Sequence, residues 1–166
     1  MHRTWFLLLL LLAGCVGSQS PSSSPGEAMS FRLPSNEFET PLLRTDGARP
    51  DRWESLLVAI RTPNPSGFLA YVAVFTDPAL VGLTEEEIRG LPRAGDAERF
   101  VLVADERALA DDEFPILVVD ISDDGRPSFR VTASCLWSVE NNLSLANMDW
   151  EEFADATDAD GTYRLC

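Results

Sequence analysis

The residue types that most often carry chemistry are scarce in this chain. There is one histidine, His2, and no lysine among 166 residues. Because His2 falls within a cleavable leader, the remaining chain cannot assemble a Ser-His-Asp or Cys-His nucleophile system or a histidine zinc site. Without lysine there is no Schiff-base chemistry and no P-loop, and neither G-x-G-x-x-G nor G-x-S-x-G occurs. Carboxylates remain. Glu140 and Glu152 are the pair best placed to act as acid and base on a glycoside, although with 27 acidic residues any such pairing is unspecific. The DADG run at 158–161 resembles a calcium loop, but with Gly161 at the sixth position Ala156 would hold the first ligand position, and the chain ends before the twelfth. It reads as a turn. No catalytic residue, metal or cofactor is assigned.

A binding surface is the alternative, and its candidate residues cluster in SCLWSVENNLSLANMDWEEFADA, residues 134–156. Asn141, Asn142, Asn147, Asp149, Glu151 and Glu152 form the candidate face. They must be positioned by two short helices. Leu136, Val139, Leu143 and Ala146 recur at helical spacing, and Asn147 is the expected N-cap of a second helix with Asp149, Glu151 and Glu152 in its first turn, where the dipole favours negative charge. Trp150, Phe153 and Ala154 supply that helix with an apolar face. Asn141 and Asn142 sit inside the first helix, so they either face solvent or bond a neighbouring loop or a partner. Trp137 and Trp150 read as core, with interface anchors as the alternative.

The run WSVENNLSLANMDWEEFADATDADGTYR resembles the C-terminal signature of a family of small bacterial domains of unknown function, domain of unknown function 6924. The resemblance extends upstream through LLRTD, DRWESL, GFLAYVAVFTDPALVGLT, FVLVAD and FPILVVDI, covering residues 41–164. It implies no activity. The N-terminal leader and the pair Cys135 and Cys166 lie outside the family pattern.

That leader, MHRTWFLLLLLLAGC, has a basic start at Arg3, an apolar run of about ten residues and small residues before Cys15. It is too short to span a bilayer, which takes roughly 20 apolar residues, and reads as a lipoprotein signal peptide over 1–14 with Cys15 as the lipidated residue. Residues 15–37, rich in serine, proline and glycine, are expected to be a flexible tether. Residues 38–166 are then one domain. Cys135 and Cys166, an even pair outside the cytoplasm, suggest a disulfide.

Within the domain, short apolar strands are expected at 41–45, 68–75, 100–104, 115–121 and 128–132, the last two forming a hairpin across Asp123, Asp124 and Gly125. Asp51 with Glu54 and Thr84 with Glu87 read as capping boxes opening two helices. The polar stretch 105–113 reads as a connection. The order β, α, β, α, β, β, α, α implies an α+β fold: a mixed sheet of about five strands packed by helices, ending in two short helices.

The formal net charge of −14 argues against nucleic acid and against electrostatic docking on anionic lipid. The function expected is a non-catalytic module at the cell envelope that binds an unidentified protein partner. It is held to the cell membrane or outer membrane by lipid on Cys15, and an immunity-type role is one version. The alternative is a carboxylate-dependent enzyme acting on an envelope polysaccharide.

Overall fold

A computed structural model describes residues 31–34, 38–95, 99–122 and 124–166. The leader and Cys15 lie outside the described residues. Among the described residues six strands form one mixed sheet: β1 (Thr40–Arg44), β2 (Val72–Phe75), β3 (Phe100–Ala104), β4 (Ile116–Asp120), β5 (Phe129–Val131) and β6 (Thr162–Tyr163). Their order across the sheet is β2-β1-β3-β4-β5-β6. β1 runs parallel to both β2 and β3, the β3-β4-β5 segment is antiparallel, and β6 lies parallel to β5. The fold is α+β, with one more strand than the spacing predicts.

Both faces of the sheet are covered, which is why β3 and β4 read as near-continuous apolar runs. On one face Leu42, Leu102, Val118 and Val131 meet α1 (Pro50–Ile60), α4 (Leu136–Ser144) and α5 (Trp150–Ala154). On the other, Leu43, Val101, Val103 and Val119 meet α2 (Glu85–Arg89) through Ile88, together with Leu80 and Leu33. Leu33 is buried and bridges to Arg93, with Leu33 N donating to Pro92 O at 2.9 Å and Ala94 N to Leu33 O at 2.9 Å. Ordered packing therefore begins before residue 38, and the tether expected over 15–37 is shorter at that end.

Several local expectations change. Asp51 and Glu54 form no capping box: Pro50 starts α1, where its missing N–H costs nothing, and Arg49 is an N-cap whose side chain does not cap the helix. Thr84 and Glu87 do form one. The 105–113 stretch holds a helix, α3 (Glu106–Ala110), capped by Asp105 and buried through Ala108 and Leu109. Only Val72–Phe75 of the expected 68–75 strand is strand, and its four residues are half-buried because β2 is a sheet edge. Ala146 has left the helix, with φ 51, and is exposed. The cap of α5 is Asp149, not Asn147: the Asp149 side chain accepts the Glu152 N–H while Asp149 N donates to Glu152 Oε2 at 2.7 Å. A two-residue edge strand, β6, follows the 158–161 turn, where Gly161 takes φ 76.

Candidate functional site

At the β2 edge, the loop entering the strand faces the outer side of α4 across a cleft of about 370 Å³. The loop is locked by Asn64, whose Oδ1 accepts from Ser66 N and Phe68 N at 2.9 Å each, while Gly67 N donates to Asn64 O at 2.8 Å. Gly67 turns the chain at φ 86, a conformation that costs other residues. Phe68 then stacks on Trp137 of α4, ring centroids 5.1 Å apart and planes 13° from parallel. Loop and helix are thus clamped at one end by two rings, each of which also lines the cleft.

The other fastener is Glu140. It is 2% exposed and belongs to the buried face of α4. Its Oε1 accepts from Thr40 Oγ1 and Ser144 Oγ, both at 2.9 Å, and its Oε2 from Tyr71 N at 3.0 Å. One buried carboxylate so ties the starts of β1 and β2 to α4, and three donors offset the cost of burying it. Asn141 adds a third tie to those from Thr40 and Tyr71, its Nδ2 donating to Leu69 O at 3.1 Å. The loop-bonding alternative for Asn141 is what the structure adopts.

The six residues of the expected binding face separate into two groups. Asn141, Asn142 and Asn147 line the cleft. Asn142 Nδ2 donates to Ser138 O at 2.8 Å within α4, and Asn142 O accepts from Asn147 N at 2.9 Å, which folds the chain back after the helix. Asp149 and Glu152 are engaged in capping α5, and Glu151 lies 3.5 Å from the Arg126 guanidinium. Trp150 is core, 5% exposed, with its Nε1 donating to Pro127 O at 3.0 Å. Of the two carboxylates paired for acid and base work, Glu140 is buried with both oxygens occupied and Glu152 is exposed in its capping box.

Sequence reasoning missed Phe68, Tyr71 and Leu145, all exposed and all lining the cleft. The available signal was NPSG at 64–67 directly before FLAY, a turn-forming run that delays the strand.

A family model described as "Domain of unknown function (DUF6924)" matches residues 39–166. The chain belongs to this family. No curated protein matches the chain.

In this DUF6924 domain a second location is offered by topology. α1 crosses from β1 to β2 on one face and α2 lies between β2 and β3 on the other, so the carboxyl ends of β1 and β3 form a switch point, where open α/β sheets commonly bind ligands. Here the domain fills it with its own contacts. Asp46, buried, accepts from Ala48 N and Arg49 Nη1 at 2.6 Å each. Burial pushes its carboxyl up, but these donors and the Arg49 charge outweigh it and hold it below the ordinary range. Asp105 caps α3 and pairs with Arg130 at 2.5 Å. The cysteines are also committed: Cys135 and Cys166 are bonded, Cα atoms 5.4 Å apart, tying the C-terminus to the residue before α4. Among the described residues no group of three His, Cys, Asp or Glu side chains could hold a metal ion.

Proposed function

We propose that this chain is a non-catalytic binding module of the cell envelope, held at the membrane by lipid on Cys15, and that the cleft between α4 and the loop entering β2 is where it captures its ligand. The observation that carries this reading is the combination of exposed apolar rings with rigid backing. Phe68 is 54% and Tyr71 60% exposed, yet the segment bearing them is fixed by Asn64, Glu140 and Asn141. Exposed aromatic side chains on a preordered frame lose little entropy on binding. Such rings on a domain with no use for them would be a solubility liability.

The lipid reading rests on the sequence of the leader and on its short apolar run. Among the described residues no helix is long and apolar enough to cross a membrane. The enzyme alternative gains nothing from Glu140 and Glu152, one of them enclosed and the other capping a helix.

The test is a photo-crosslinking residue, a benzophenone side chain, placed at position 71 or, as a control, at position 159 of the full chain expressed in its own cells. An envelope adduct from 71 and not from 159, lost when Cys15→Ala prevents anchoring, is the expected result. Equal adducts from both positions, or adducts indifferent to Cys15, would contradict it.

A further inference from the structure

The nine residues lining the cleft carry no charge, in a chain whose formal net charge is −14. Their hydrogen-bonding capacity lies mainly in three side-chain amides and the Tyr71 hydroxyl. Asn141 Nδ2 and Asn142 Nδ2 both donate to backbone carbonyls, and since a carbonyl can only accept, the orientation of each amide is fixed, leaving Oδ1 and one N–H of each over. Neither Oδ1 has a partner among the described residues. The Asn147 side chain, exposed at the rim, also makes no hydrogen bond among the described residues. The cleft therefore presents three amide oxygens and, counting the second N–H of Asn141 and of Asn142 and both of Asn147, four amide N–H groups beside the Phe68 ring and the Tyr71 ring with its hydroxyl.

Amides that both accept and donate next to aromatic faces, without charge, suit a ligand that has several hydroxyls, each able to donate and to accept, on one edge and C–H groups on the other. The C–H groups lie against the electron-rich ring faces, and the hydroxyls meet the amide oxygens. An anionic glycan would meet the acidic surface and be repelled. The volume of about 370 Å³ is at the low end of the roughly 300–1,000 Å³ of small-molecule sites, enough for one or two rings.

Resting on the binding-module reading, we infer that the cleft takes a neutral sugar ring of the glucose or N-acetylglucosamine type, presented in a β-linked chain whose equatorial substituents leave flat C–H faces. Phe68 and Tyr71 supply the stacking surface. Asn141, Asn142 and Asn147 accept from the hydroxyls.

The experiment titrates cellotetraose and chitotetraose, by calorimetry into the millimolar range, against the full chain reconstituted in phosphatidylcholine vesicles. At least one sugar should bind, and Asn147→Ala and Phe68→Ala should each weaken it about tenfold, the loss expected for one removed contact of this kind. Asp160→Asn, on the far edge, should leave it unchanged. Asn147 is exposed and outside every helix, so its variant reports on binding even if Phe68→Ala disturbs the loop; circular dichroism checks each fold. Binding of neither sugar, or binding indifferent to Asn147→Ala, overturns the inference. If neither sugar binds while the position-71 crosslink to a protein persists, the ligand class is wrong and the binding-module reading stands. If that crosslink is also absent, both fail.

Discussion

The two edges of the sheet are fastened by opposite means. At the β2 edge the fasteners are neutral or enclosed, namely the Phe68–Trp137 stack, the Asn141 amide and the buried Glu140 carboxylate. At the β6 edge they are covalent or charged: the Cys135–Cys166 bond, and Arg164 paired with Glu113 at 2.9 Å, Asp158 at 2.9 Å and Asp160 at 3.0 Å. A two-residue strand cannot hold itself by its ladder, so β6 needs an external clamp. The β2 edge is held from behind, which leaves its outer rings uncovered. One edge is braced, and the other is braced so as to stay open.

Breaking the β6 brace should have the largest effect. The disulfide spans 31 residues of sequence, and a constraint of that length contributes about 3–4 kcal/mol, chiefly by restricting the unfolded chain. Urea unfolding of the full chain as Cys135→Ser with Cys166→Ser should show a loss of that order while binding at the cleft persists. Loss of binding with little loss of stability would reverse the roles assigned to the two edges.

Glu140→Ala attacks the other edge. It leaves Tyr71 N without its acceptor and Thr40 Oγ1 with only Ser144 Oγ at 3.2 Å, at about 1–3 kcal/mol for a donor left unpaired. It should also free the loop, so binding should fall together with stability. A variant that loses stability but binds normally would show that Glu140 does not position the cleft.

A smaller effect is expected from Asp160→Asn. Hydrogen bonds from Arg164 are the largest influence on Asp160 and lower its carboxyl from 3.8 to about 2. A group whose folded pKa is depressed stabilises the fold above its unfolded value and loses that contribution as pH falls through the folded one. The difference in Tm between wild type and Asp160→Asn should therefore be modest and constant above about pH 4, shrinking as pH approaches 2. A difference that grows on acidification would rule out this ion pair as part of the brace.

The central strands were legible because both sheet faces are covered: FVLVA and ILVVD carry their burial in composition alone. The capping box of Thr84 and Glu87 was legible because it is local chemistry. What failed was decided by tertiary contact. Residues 105–113 looked like a polar connection, yet Ala108 and Leu109 bury a single turn of helix. β6 is two residues long and shows no period; it exists because β5 and the clamp hold it. Asn147 and Asp149 are both good caps on propensity, and the reciprocal bond with Glu152 decided for Asp149. The cleft was half legible. Its asparagines stand out as poor helix formers, but FLAYVAVF reads as one buried strand, and only the locked turn before it turns Phe68 and Tyr71 outward.

The division of labour between the edges can be measured directly by hydrogen exchange, read by mass spectrometry on peptides of the full chain in vesicles with and without soluble cell-envelope extract. Slowed exchange in residues 67–72 and 137–147, with 158–166 unchanged, is the expected result. Protection confined to 158–166, or none at residues 67–72, would contradict the assignment of the β2-edge cleft as the binding site.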